Sequence, residues 1–193
     1  MSKLIYRNRL FVFLLDRIGR LVLRFGRWRV VGQVPKYPKF VAVAAPHTSN
    51  WDFPIFMAVV GVLRLQVRFL GKHSLFQGPL GRLFYWLGGI PVDRESSGVA
   101  GVVAQAEEVF AASPKLILGV APEGTRSRVV KWKTGFYRIA VAANVPIVLV
   151  FLDSKTREVG IGPTFWPTGD MSGDLLKIQA FYADKAGINP RNQ

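Results

Sequence analysis

The 193 residues suffice for one domain with a substantial core, and a second independent domain is not expected. The absence of cysteine excludes disulfides, thiolate metal sites and thiol nucleophiles, and two histidines leave a zinc site short of ligands. A net charge of +14 combined with 50% hydrophobic residues and a mean hydropathy of +0.23 fits a protein lying on an anionic membrane better than a nucleic-acid binder, whose surface is more polar.

The charge is concentrated at the start of the chain. Residues 1–39 hold ten lysines and arginines against Asp16 alone, a net +9. Residues 9–27 read as a basic amphipathic helix. Three-and-four spacing places Arg17, Arg20, Arg24 and Arg27 on one face, and Leu10, Phe11, Leu14, Leu15, Ile18, Leu21, Val22 and Phe25 on the other. The pattern suits an interfacial helix whose arginines meet lipid headgroups, or a helix packed on its own domain with a solvated arginine face. Gly19 and Gly26 leave room for two shorter pieces. Neither a secretory signal nor a spanning segment is expected, because Asp16 and Arg17 interrupt the apolar run. Residues 1–39 therefore read as a membrane-associating region, and 40–193 as the rest of the same structural unit.

A short strand at Trp28–Gly32 and a proline-marked loop lead to a buried strand at Phe40–Ala45. The turn Pro46–Asp52 follows, then an apolar helix at Phe53–Leu63 and a strand at Leu65–Leu70. Pro79–Leu87 carries three successive aromatics, Phe84, Tyr85 and Trp86, suited to an acyl groove, a membrane interface or ordinary core. A glycine turn and short strand end at Arg94. Ser96–Ser97 then caps a helix at Val99–Ala112, and a buried strand at Lys115–Val120 delivers Ala121–Ser127. Thr134 caps a helix to Ala143. Strands at Val145–Phe151 and Arg157–Ile161 and a helix near Gly173–Tyr182 complete the chain. Alternating strands and helices predict a single α/β domain, a largely parallel mixed sheet flanked by helices, with ligands at the carboxyl ends of its strands.

Two such ends carry chemistry. His47 and Asp52 flank a strand-to-helix turn, where an imidazole beside a carboxylate can take a proton from a hydroxyl. Glu123-Gly124-Thr125-Arg126 occupies the other. With Gly89-Ile90-Pro91-Val92-Asp93-Arg94 and Val145-Pro146-Ile147, these stretches form four blocks that resemble, in order and spacing, the signature of glycerolipid acyltransferases of the lysophosphatidic-acid acyltransferase type.

The resemblance implies direct acyl transfer from an acyl thioester, of acyl-carrier protein or coenzyme A, to the free hydroxyl of a lysolipid. It makes His47 the base and Asp52 its orienting partner, and it assigns Arg94, Glu123, Gly124, Thr125 and Arg126 to the substrate. Glu123 is then expected to position Arg126 or the glycerol hydroxyls. Lys131 and Lys133 are candidates for attracting the phosphate or an acidic donor protein. Thr48 and Ser49 are expected to bond the turn's backbone. The reaction requires no metal or bound cofactor, and a peripheral position on the cytoplasmic face of the membrane follows. Pro46 departs from the pattern, since members acting on lysophosphatidic acid often have asparagine before the histidine. A different lysolipid acceptor and a non-catalytic basic membrane or nucleic-acid module are the rival readings.

Overall fold

The computed structural model describes residues 6, 8–93 and 98–192. Its centre is a seven-stranded sheet in which five strands run one way and the two at one edge run the other. The strands are β1 (Arg29–Val31), β2 (Lys39–Ala45), β3 (Val67–Lys72), β4 (Gly89–Val92), β5 (Leu116–Val120), β6 (Ile147–Asp153) and β7 (Glu158–Phe165). They lie in the order β1-β7-β6-β2-β5-β3-β4, with β6 and β7 antiparallel and every other pair parallel. The expected largely parallel mixed sheet is therefore the one found.

Helices cover both faces, which is why the central strands are apolar on both sides rather than alternating. Val41, Val43 and Ala45 of β2 face α4 (Gly98–Ala111), α5 (Gly135–Ala142) and α6 (Met171–Tyr182), where Phe110, Phe136, Ile139 and Ile178 fill the main core. Phe40 and Ala42 point the other way. On that side α1 (Arg9–Phe25) and α2 (Asp52–Val62) bury Leu23, Ile55, Ala58 and Val59 against Leu152 and Val159. The short α3 (Gly81–Trp86) follows a 3-10 turn at His73–Phe76. The Ser96–Ser97 cap lies outside the described residues. Thr134 stands at the cap position of α5, but its side chain accepts no cap hydrogen bond and faces the Arg138 guanidinium instead.

The N-terminal helix is continuous. Asn8 caps it, accepting from the backbone N–H groups of Leu10 and Phe11. Gly19 does not break it, because that position is where α1 and α2 touch. A Cβ on Gly19 would lie 2.6 Å from the Ala58 carbonyl oxygen, and one on Gly61 would lie 2.6 Å from that of Leu15. Arg27 falls past the helix end, in a left-handed conformation (φ +56°), so it is not part of the arginine face.

The packing also decides which side of α1 is covered. Asp16, Gly19 and Leu23 are buried against the domain, while Leu10, Phe11, Phe13, Leu14, Ile18, Leu21 and Phe25 are exposed, Phe25 by 83%. Arg17, Arg20 and Arg24 border this stripe, also exposed. The alternative in which the apolar face serves as core is thereby corrected: a third face, centred on Asp16 and Gly19, does the packing. No helix among the described residues is long and apolar enough to cross a membrane.

Candidate active site

β2 ends at Ala45 and the chain turns through Pro46 into α2, so His47 and Asp52 sit above the carboxyl edge of the sheet. Asp52 opens α2 and is completely buried. One of its oxygens, Oδ2, accepts from the backbone N–H groups of Thr48 (2.7 Å) and Ser49 (2.8 Å) and lies 3.0 Å from His47 Nδ1. The three donors and the helix N-terminus hold a carboxylate where an isolated one would be too costly to bury. A carboxylate only accepts, so Nδ1 carries the proton and Nε2 keeps its lone pair. The side chain is a quarter exposed, so a substrate hydroxyl can approach the ring.

Because β5 lies beside β2 in parallel, its carboxyl end brings Glu123 to the same place. Glu123 Oε1 accepts from the His47 backbone N–H at 3.1 Å. Glu123 is expected from the sequence to position Arg126 or the glycerol hydroxyls, and the partner found for its Oε1 is the His47 main chain. The carboxylate fixes the histidine's own main chain, while Arg126 and Thr125 are exposed, and the Thr125 hydroxyl accepts from Ser127 N–H within its turn. Gly124 is left-handed (φ +66°), and a Cβ there would sit 2.9–3.1 Å from Cδ, Cε and Nζ of Lys133. Lys133 thus folds over the Glu123–Gly124 turn. Lys131 is exposed. Arg94, the remaining member of the expected set, lies outside the described residues.

The second oxygen of Glu123 and Oδ1 of Asp52 are buried without hydrogen-bond partners among the described residues. Burial pushes the Glu123 pKa up. Nearby Asp52 pushes the same way, while the backbone N–H of His47 and its ring pull it down. A carboxyl group with a raised folded pKa contributes fully to stability while protonated, and loses that contribution as pH rises through the folded pKa. Glu123→Gln should therefore gain thermal stability relative to the parent as pH increases. The two proteins should converge below the ordinary glutamate pKa of 4.5. A melting-temperature difference that does not change with pH would contradict this assignment.

The sequence carried no signal for the role of the last residues. Thr48 Oγ1 accepts from the Asn189 backbone N–H (3.1 Å), and the Thr48 carbonyl accepts from Asn192 Nδ2 (3.0 Å). Gly187 passes so close that a Cβ would meet the Thr48 hydroxyl. The chain's end therefore buttresses the turn between His47 and Asp52. Thr48 serves that distant segment, whereas Ser49 bonds within the turn, accepting from Trp51 N–H. The Tyr182 hydroxyl, donating to the Val43 carbonyl at 2.7 Å, fastens α6 to β2 just before the turn.

On the opposite side, Phe53 follows Asp52 directly and meets Phe69 and Phe84 at ring-centroid separations of 5.2 and 6.3 Å. Tyr85 stacks near Phe76 at 4.7 Å, and Trp86 meets Phe11 of α1 edge-on at 4.6 Å. The three successive aromatics thus belong to three different contacts: Phe84 reaches α2, Tyr85 the 3-10 turn and Trp86 α1.

Residues 27–152 match a family model described as Acyltransferase. The chain is 30% identical over 151 residues to the 1-acyl-sn-glycerol-3-phosphate acyltransferase of Escherichia coli strain K12, covering 74% of this chain and 60% of that one. With the protein of that name from Haemophilus influenzae the identity is 28% over 165 residues, covering 82% and 66%. The human 1-acyl-sn-glycerol-3-phosphate acyltransferase beta is 27% identical over 138 residues, 70% of this chain and 49% of that one. The chain thus spans only part of the length of the curated relatives it matches, 60% of the E. coli protein. The crystal structure of the 1-acyl-sn-glycerophosphate acyltransferase PlsC from Thermotoga maritima has the same fold, with a TM-score of 0.59 at 20% identity over 92% of this chain and 82% of that one.

Proposed function

The chain belongs to the acyltransferase family, and from there we propose that it transfers a fatty acyl group from an acyl thioester to the free hydroxyl of lysophosphatidic acid, giving phosphatidic acid. The observation that carries this reading is the His47–Asp52 pair at 3.0 Å, with Nε2 free to act as a base. The relatives' names support the acceptor.

In the proposed reaction Nε2 accepts the hydroxyl proton as the oxygen attacks the thioester carbonyl. A carbon–oxygen bond forms, the tetrahedral intermediate collapses, and the carbon–sulfur bond breaks. The imidazolium, stabilised by Asp52, returns the proton to the departing thiolate. Glu123 contributes by holding the main chain of His47. Arg126, Lys133 and Arg94 are the proposed partners of the acceptor phosphate, and Gly124 and Thr125 shape the turn that carries Arg126. Lys131 adds attraction for the phosphate or an acidic carrier protein. Acyl-carrier protein or coenzyme A is the donor, and the reaction needs no metal or bound cofactor.

The exposed apolar stripe of α1, bordered by Arg17, Arg20 and Arg24, supports a peripheral position on the membrane. Residues 1–39 are then the membrane-associating region and 40–193 the acyltransferase region. The enzyme is placed on the cytoplasmic face, where the anionic leaflet and the acyl donors lie.

A screen of defined lysolipids against labelled acyl-carrier protein and coenzyme A thioesters tests the reading. Transfer to lysophosphatidic acid is expected, and transfer only to another lysolipid, or to none, would overturn it. Arg126→Ala should raise the KM for lysophosphatidic acid about tenfold, as loss of a charged hydrogen bond implies, with a smaller change in kcat. An unchanged KM would remove Arg126 from the phosphate site.

A further inference from the structure

A second concave site lies at the other end of α2. About 15 Å of helix separates it from Asp52, at 1.5 Å per residue. It is a cavity of about 420 Å³ between the start of α1 and the end of α2. Its walls combine Arg9 and Arg64 with apolar residues that include Val12, Leu15, Val60 and Leu65. No acidic residue lines it among the described residues. We propose that this cavity binds a single anionic phospholipid, its phosphate held by Arg9 and Arg64 and its acyl chain lying on the apolar residues.

Three observations support that occupant. Asp16, next in sequence to the lining residue Leu15, has its Oδ1 engaged 2.9 Å from Arg20 Nε. Arg64 Nη2 makes a long ion pair with Asp16 Oδ2 at 4.0 Å, too far for a hydrogen bond, and its side chain is 66% exposed. Its donors are therefore available to an anion, and arginine pairs suit phosphate oxygens.

Second, Arg64 follows α2 in a left-handed conformation (φ +52°), a position at which glycine is the unstrained choice. A charged side chain held there at a conformational cost, beside a cavity, is what a binding role would retain. Third, α1, which together with α2 walls the cavity, carries the exposed apolar stripe, so a bilayer that contacts the stripe brings lipid to this helix pair. The Tyr6 hydroxyl, donating to the Leu87 carbonyl at 3.2 Å, anchors the near wall to the end of α3.

This inference does not depend on acyl transfer, and its test uses no activity readout. The full chain would be titrated with dihexanoyl-phosphatidylglycerol below its micelle concentration, following the melting temperature. Dihexanoyl-phosphatidylcholine and inorganic phosphate serve as separate arms. A saturable rise with phosphatidylglycerol is expected, and a much smaller one in the other two arms. The double variant Arg9→Gln/Arg64→Gln should raise the apparent Kd at least tenfold, whereas Arg17→Gln/Arg24→Gln, which removes equal charge outside the cavity, should change it less than twofold. Arg64→Gly guards against misfolding. It relieves the left-handed backbone, so it should melt no lower than the parent without lipid and still bind more weakly. Equal losses in the two double variants would reduce the effect to diffuse surface attraction and overturn the site. A full response to inorganic phosphate would overturn the lipid, and absence of saturation would overturn both.

Discussion

His47→Ala is expected to lower turnover by about 10²- to 10⁴-fold, the range for loss of a positioned general base, without releasing the protein from membranes. The side chain is partly exposed and its partner is held by two other donors, so removing the ring leaves the turn intact. Asp52→Asn probes the same chemistry differently. An asparagine oxygen can still accept from Thr48 and Ser49. Because that same oxygen also faces His47 Nδ1, the ring keeps its orientation, and what is lost is the negative charge that stabilises the imidazolium. A fall in kcat of about 10²- to 10⁴-fold is expected, because the imidazolium is left without its counter-charge. Steady-state kinetics with saturating lysophosphatidic acid would measure both. Near-normal turnover by either variant, at unchanged melting temperature, would remove the pair from the chemistry.

Ile18→Asp combined with Leu21→Asp should abolish cosedimentation with anionic vesicles while leaving the fold unchanged. Both side chains are more than half exposed on the stripe opposite α2, so the substitutions cost the domain little. Each loses the roughly 2 kcal/mol available from burying a large aliphatic side chain and adds a charge to be desolvated. Arg17→Gln with Arg24→Gln tests the electrostatic part. At ~1 kcal/mol per basic residue near an anionic surface, binding should weaken roughly thirtyfold, and the loss should shrink as salt rises. Arg20 is the wrong arginine for this purpose, because it neutralises buried Asp16 at 2.9 Å and its loss would disturb the α1–α2 contact. Unchanged sedimentation by the aspartate variant would refute the interfacial helix.

Much of this molecule is written locally. Apolar runs of strand length alternate with helical ones, and that rhythm implies a sheet covered on both faces. His47 and Asp52 are five positions apart across a strand-to-helix turn, close enough for local geometry to join them. The three-and-four spacing of Arg17, Arg20 and Arg24 likewise defines an arginine face from the helical period alone. The same spacing shows that α1 has an apolar stripe, yet not what the stripe faces. That depends on Gly19 and Gly61, whose missing side chains let α1 and α2 approach and turn the Asp16 face inward. A lone glycine in a helical run looks the same whether it breaks the helix or packs it.

The elements, the His47–Asp52 pair and the amphipathic helix are thus legible in the residue order, because each depends on positions a few apart and on the fixed periods of helix and strand. Three further relations needed the packed chain: Glu123 serves the His47 backbone, Asn189 and Asn192 brace Thr48, and Arg9 and Arg64 share a cavity. Those contacts join residues 55 to 144 positions apart. They depend on β2 lying next to β5 and on α1 crossing α2, and a helical crossover leaves the neighbour of a parallel strand open until the whole sheet has packed.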